Sequence, residues 1–432
     1  MNSAAGKTRS QRCLSLRHHA ARSTSVMSGP ALFARLVWSA LVAQSADQVG
    51  LAAAPIVAVV AFGAGAGATG LLQTVQTLPF LILSLPVGLL ADRASRRGLM
   101  LSGEALRAAS FIVIVALAAM HLLTLRWLMG LSVIGVLGTV AYVVTAPSLV
   151  PALVPRGMLP TANGRLELAR SAAFAAGPAL GGALVGWIGA APAFAFAAGL
   201  SILAVVALAS IREPFRPPLP ARHPLHDLRE GAEFVRTHPL LRPIALTAVV
   251  FNTSFFVLQA VYVPYAVHRL ALSASGVGFS LATYGVGMVA GALVVAYVLR
   301  RLPFGAAVAL GPMAGLAAAL AMAATIWNPL PPFASLSFFL FGAGPIIWTI
   351  TTTTLRQSVT PEGLLGRVSA TIVMSTMGAR PLGSAIGAFV GGWLGSESCL
   401  LVAAFGFLVQ VGILLSSPVA RLSRQPETTE SP

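Results

Sequence analysis

The stretch Pro86-Val-Gly88-Leu-Leu-Ala-Asp92-Arg93-Ala-Ser95-Arg96-Arg97 joins two apolar runs, 69–91 and 99–120, through a glycine, one acid and three arginines. Each run is about 20 residues long, enough for a helix to cross a hydrocarbon core of roughly 30 Å. The same alternation of apolar run and short charged break continues in both directions. It cuts the chain into spans at 32–61, 69–91, 99–120, 126–149, 162–187, 190–211, 242–267, 274–299, 304–327, 331–354, 366–393 and 397–418. The sequence therefore predicts an all-α integral membrane protein of twelve transmembrane helices in two six-helix bundles, 32–211 and 242–418, with a linker at 212–241 and tails at 1–31 and 419–432.

Composition supports this solvent. Only 9% of the 432 residues are charged and 56% are hydrophobic, where a soluble domain carries about 25% charge. A net charge of +16 would point to nucleic acid in a soluble domain, but here the charges sit between apolar runs, so no nucleic-acid partner is expected and the lipid bilayer is. Twelve spans put both termini on one side. That side holds 24 Lys and Arg residues against Arg126 and Arg269 on the other, and the positive-inside rule makes it the cytoplasm, with the protein in the inner (plasma) membrane. The linker REPFRPPLPARHPLHDLREGAEFVRTHPLL starts rich in proline, and Leu225, Leu228, Ala232, Phe234 and Val235 suit a short amphipathic surface helix. The first 30 residues read as a disordered basic tail, or as sequence ahead of a start at Met27.

The halves echo each other. Gly88 with Arg97 matches Gly291 with Arg300 at +203, Gly164-Arg165 matches Gly366-Arg367 at +202, and Pro178 matches Pro381 at +203. Gly182-Ala-Leu-Val-Gly-Trp-Ile-Gly also matches Gly387-Ala-Phe-Val-Gly-Gly-Trp-Leu-Gly, one glycine longer. A shared offset indicates six plus six helices in parallel repeat.

Three segments carry a resemblance. Gly88 through Arg97 resembles the signature loop of the major facilitator superfamily, G-x-L-A-D-R-x-G-R-R/K, with Ser95 in place of the second glycine. The resemblance implies that Asp92, Arg93 and Arg97 latch the two halves on the cytoplasmic side in the outward-open state; positive-inside charge alone would explain the arginines but not Gly88 and Asp92 at their spacing. The second half keeps Gly291 and Arg300 but has Val295 where Asp92 would map. Span five holds Gly177-Pro178-Ala-Leu-Gly181-Gly182, which looks like the element marking drug and proton antiporters of that superfamily, or else is a small-residue packing face. Val154 through Arg165 is similar to the branch of enterobactin, macrolide and other drug exporters. The arginine expected in span four of many drug antiporters is absent, since Leu128 to Val150 carries no charge.

An ionisable group near the bilayer centre costs about 2.5 to 3.5 kcal/mol and persists when paired, hydrated or needed. Asp47 lies 12 residues past Arg35, about 18 Å along span one, and Arg380 lies 13 past Arg367, about 20 Å into span eleven. Gln44, Asp47 and Gln48 form one polar stripe. Asp47 is the candidate proton-titrating acid, since burial favours a neutral carboxyl and a nearby cation favours the carboxylate; the alternative is a static, paired carboxylate. Arg380, the counterpart of Gly177, is the candidate partner that approaches Asp47 in one conformation and leaves it in the other. Permanent pairing with carbonyls or with Gln73 and Gln76 is the alternative. Glu104 and Arg107, at i and i+3, read as a structural pair behind the latch. Asn252, Gln259, Tyr262, Trp348 and Thr349, with Gln44 and Gln48, are candidate substrate contacts on helices that the resemblance places around the central cavity.

Other patterns are decoys. Gly65-Ala-Gly67-Ala-Thr-Gly70 spells GxGxxG between two spans, not between a strand and a helix. None of the seven histidines has metal-ligand spacing, and no cofactor, metal or enzyme activity is expected. The expectation is a monomeric secondary transporter exporting a small hydrophobic or amphipathic compound, drug, macrolide or siderophore-like, in exchange for protons by alternating access. The alternatives are a uniporter or lipid-like solute translocator, and a transport-inactive receptor or scaffold.

Overall fold

A computed structural model describes residues 29–154, 158–211 and 224–426. The basic tail, the proline-rich start of the linker and loop residues 155–157 lie outside them, as do the side chains of Asp92 and Arg93.

The first half comprises α1 (Gly29–Phe62), α2 (Ala66–Arg93), α3 (Arg96–Ala119), α4 (Leu125–Leu153), α5 (Leu159–Ile188) and α6 (Ala190–Ala209). A short helix α7 (Pro224–Thr237) precedes α8 (Leu241–His268), α9 (Ala274–Arg301), α10 (Phe304–Ala324), α11 (Pro331–Val359) and α12 (Glu362–Leu415). The last is one continuous helical element in which only Gly395 leaves helical geometry. It divides there into α12a (362–394) and α12b (396–415). The eleven long helices are each apolar enough to cross a membrane, and the break at Gly395 makes twelve spans.

Short polar signals set the helix starts. Ser95 accepts a hydrogen bond from the Gly98 N–H at 3.0 Å, and Ser273 does the same for Gly276 at 3.2 Å; both satisfy donors that a helix start leaves open. The departure from the signature glycine at position 95 thus supplies the N-cap of α3. Gly189 has φ 92° and ψ −178°, and Gly395 has φ 83° and ψ 169°. This region is essentially reserved for glycine. The two closing glycines of the repeated segment are therefore the same tight corner, between α5 and α6 and between α12a and α12b.

Within the first half α1 packs on α5 and α6, and α3 on α4 and α6; within the second, α8 packs on α12 and α10 on α11. The halves meet mainly through α2 against α12 and α9 against α5, two pairings that a half-chain repeat makes equivalent. The close approaches lie in the half of the membrane remote from the termini. A Cβ at Gly67 would stand 3.1 Å from Gly392 Cα, and one at Gly182 2.6 Å from Ala274 O and Gly278 Cα. Ile56 and Val59 of α1 share one core there with Val257, Val261 and Tyr262 of α8. The molecule is thus sealed between its halves on the side opposite its termini. Large apolar side chains such as Trp187, Leu293, Phe389 and Trp393 remain exposed on the outside, as a lipid solvent permits.

On the terminal side, α7 lays Phe234 and Val235 against Leu241, Val368 and Ile372. Glu230 pairs with Arg367 at 2.5 Å, which ties the linker helix to α12a.

Candidate transport site

Four helices of the first half converge on one buried charge cluster. Asp47 of α1 accepts a 2.6 Å hydrogen bond from Thr139 of α4 and lies 3.6 Å from Arg107 Nη1 of α3. Arg107 Nη2 donates to both carboxylate oxygens of Glu104, at 2.5 and 2.6 Å, and to the Ala43 carbonyl at 2.8 Å. Its remaining donors reach Thr139 Oγ1 at 3.0 Å and Ser201 Oγ of α6 at 3.2 Å. Asp47 is 8% exposed, Arg107 2% and Glu104 0%, so two carboxylates share one guanidinium away from water. With both ionised the cluster carries one net negative charge. One proton makes it neutral.

Beside Asp47 a pocket opens among Gly50, Leu51, Gln76, Arg107, Phe111, Ser132, Gly135, Val136 and Phe194. It leaves about 20 Å³ for water-sized occupants, enough for a single water. Gln76 Oε1, buried and without a hydrogen-bond partner, and Asp47 are polar groups such a water would serve.

The small residues of span five connect this cluster to the other half. On one face of α5, a Cβ at Gly177 would overlap Gln48 Cβ, and one at Gly181 would stand 2.9 Å from the Val49 carbonyl. On the adjoining face Pro178 O and Gly182 abut Gly278 of α9. The turn of α1 that carries Asp47 therefore sits directly on the helix that closes against the second half, and Gln48 also reaches Asp47 Oδ2 at 3.4 Å.

The Transmembrane secretion effector family matches residues 31–430, nearly the whole described chain. The chain belongs to that family, within the major facilitator superfamily. It is 27% identical over 345 residues to the Enterobactin exporter EntS of Escherichia coli O1:K1 / APEC, covering 79% of this chain and 80% of that protein. A bacterial homologue of the human lysosomal transporter Spinster, inward-facing and unoccupied, aligns with TM-score 0.69 at 14% identity over 93% of this chain and 99% of that one. The nucleoside transporter NupG (D323A mutant) aligns with TM-score 0.69 at 12% identity over 89% and 99%. At such identity these two solved structures speak for the fold alone. The family and its relatives are transporters, and the chain is a multi-pass membrane protein of the major facilitator fold.

The remaining residues singled out by the sequence fall in several places in this secretion effector. Arg380 does not pair with Asp47: its Nε donates to Asn252 Oδ1 at 3.3 Å and its guanidinium lies 5.3 Å from the Phe256 ring centroid. Nor do Gln73 and Gln76 hold it. The cation beside Asp47 is Arg107, so Glu104 and Arg107 are members of the acid cluster and not only a pair behind the loop. Tyr262 is fully buried within the second half, hydrogen-bonded to Ser280 and edge-on to Phe338 at 4.5 Å. Trp348 packs its Cβ against Gly311 of α10, and only Thr349 of that pair is exposed. The neighbouring hydroxyls of Thr351, Thr352 and Thr354, further along α11, bond the carbonyls of that helix, as hydroxyls in membrane helices do. Gln259 keeps a buried Oε1 without a partner, and Gln44 is half-buried on α1. Arg97 bonds the Leu208 and Ala209 carbonyls at 3.1 and 2.6 Å, capping α6 within its own half. Gly88 faces Val144, also of the first half.

Sequence reasoning missed Thr139, Ser201 and the role of Arg107. A signal existed for the last. Arg107 lies 11 residues past Arg96, about 16 Å along α3, which is the depth of Asp47 along α1.

Proposed function

We propose that this protein exports a small amphipathic compound, siderophore-like or drug-like, in exchange for protons by alternating access, with Asp47 as the group that takes up and releases the proton. The observation that carries the reading is the cluster of Asp47 and Glu104 around the single cation Arg107. A buried site one charge away from neutrality gains or loses a proton more readily than a balanced pair, and the proton belongs to the coupled cluster as a whole. Gln48 and Val49, next to Asp47, rest on Gly177 and Gly181 of α5, and Gly182 of α5 seals against α9. A change of charge at Asp47 therefore acts one helix away from the contact that must open. The arginine distribution supports termini in the cytoplasm, which makes the closure remote from them an inward-facing state. In that state Arg97 holds α6, and the Asp92 and Arg93 latch would form when the cytoplasmic side closes.

The energetics suffice. One proton crossing about 100 mV supplies about 2.3 kcal/mol, a gradient of roughly 40-fold for a neutral solute. The test uses protein in liposomes with a lumenal pH dye and a panel of macrolides, catechol siderophores and lipophilic cations. Substrate-dependent proton flux that disappears in Asp47→Asn supports antiport. Substrate movement with no proton flux makes the protein a uniporter and Asp47 a structural acid.

A further inference from the structure

Arg380 stands deep in α12a without a carboxylate. Among the described residues the carboxylates that form ion pairs do so with arginines other than Arg380, and the hydrogen bond of its guanidinium is a 3.3 Å contact to the neutral amide of Asn252. A second guanidinium approaches from the other half. Arg170 of α5 and Arg380 are both within electrostatic reach of Tyr284 of α9, and Arg170 shares its charge with Glu167 at 2.6 Å. Arg170 and Arg380 against Glu167 leave one net positive charge at the seam between the halves, and among the described residues no other carboxylate pairs with either guanidinium.

Aromatic rings surround these cations. Phe256 lies under Arg380 at 5.3 Å and Phe174 under Arg170 at 5.4 Å. Phe174 is 5.9 Å from Tyr284, and Tyr284 is 6.0 Å from Phe255. The Tyr284 hydroxyl makes no hydrogen bond among the described residues. Rings from α5, α8 and α9 thus border a place whose charge is positive and whose polar donors, Arg380 and Tyr284, are unsaturated.

We propose that this is the substrate subsite, and that it selects an aromatic or conjugated anion: Arg380 binds the anionic group, Tyr284 donates to it, and Phe174, Phe255 and Phe256 face the ring. A deep cation without a counter-ion costs free energy that persists where a ligand completes it. A lipophilic cation would meet like charge from both halves. The inference rests on the transport reading above and narrows its substrate class. It also separates the two jobs of the molecule, since the proton cluster lies within the first half and is negative, while the subsite lies between the halves and is positive.

The test is calorimetric binding to the full chain in nanodiscs, with 2-naphthalenesulfonate and 2-naphthylmethylammonium as probes that share a ring system and differ in charge. The sulfonate should bind the wild type at least about tenfold more tightly than the ammonium, and Arg380→Gln should weaken the sulfonate by about tenfold or more while Arg380→Lys retains most of the affinity. Failure of the sulfonate to bind the wild type, equal binding of both probes, or an unchanged affinity in Arg380→Gln would overturn the proposal. If Arg380→Gln does not fold, the ratio of the two probes on the wild type decides alone. Binding is read without transport, so an Arg380-dependent sulfonate site in a protein that moves no protons would leave the subsite standing and remove antiport. Proton-coupled export of cations unaffected by Arg380→Gln would do the reverse.

Discussion

Arg107 reaches from α3 to within 3.6 Å of Asp47 on α1, and with the same guanidinium it binds Glu104 at 2.5 Å. The two carboxylates are not equivalent in what their loss does. Arg107→Gln strands both acids in a site that excludes water, and breaking a buried pair from the cation side costs about 3 to 5 kcal/mol. Asp47→Asn removes the odd charge and can still accept from Thr139. The expected outcome is a large fall in melting temperature for Arg107→Gln in detergent and an equal or higher one for Asp47→Asn, which nevertheless loses proton coupling. Equal destabilisation by both variants would show that the cluster is balanced and not one proton short.

Gly189 and Gly395 hold the two equivalent corners at φ 92° and 83°. An alanine at either position must adopt a backbone region that side chains avoid, costing about 1 to 3 kcal/mol. Nothing lies within 4 Å of a Cβ at either glycine, so strain is the sole penalty. The two sites sit in different halves, so their effects should add. Thermal unfolding of Gly189→Ala, Gly395→Ala and the double variant checks this, and a variant as stable as wild type would mean that the corner re-forms without the positive φ.

The spans and the charge of Asp47 inside one of them were legible because lipid imposes them: a run of about 20 apolar residues and a charge inside it are readable from order alone. Which cation meets Asp47 was not. Periodicity places residues along a helix axis but not around it, and Arg107 reaches Asp47 through the azimuth at which α3 packs on its neighbours. The directions in which Tyr262 and Trp348 turn were hidden for the same reason. Both lie on helices of the second half, where the Tyr262 hydroxyl meets Ser280 inside the core and the Trp348 Cβ rests on Gly311. Gly177 and Gly182 were legible as a motif, whereas their division of labour between α1 and α9 required the packed structure.

That division is testable at Gly182. A Cβ there would stand 2.6 Å from two backbone atoms of α9, Ala274 O and Gly278 Cα, and backbone cannot move aside as a flexible side chain can. Gly182→Val should therefore part the halves on the side remote from the termini. Spin labels at Leu122 and Trp327, exposed residues in the loops after α3 and α10, report the separation across that side in a background lacking Cys13 and Cys399. Longer distances in Gly182→Val are expected. A folded variant with the wild-type distance distribution would mean that α5 and α9 do not form the closing contact.

His238, in the short segment between α7 and α8, gives the protein a pH-sensitive joint outside the membrane. Its Nδ1 accepts from the Leu240 and Leu241 N–H groups at 3.2 and 3.3 Å, serving the open donors at the start of α8, while its ring faces Phe234 at 5.4 Å. Burial lowers its pKa from the usual histidine value of 6.5. The unfolded chain then takes up a proton at a pH where the folded chain does not, so stability from this residue is complete above that value and is lost as pH falls through the lowered one. Protonation would also place a hydrogen where the two amides donate. Melting temperature measured from pH 7.5 down to about 5 should decline in the wild type, and less steeply in His238→Asn, which keeps an acceptor that does not titrate in this range. Parallel curves for the two proteins would exclude His238 as the origin of the decline.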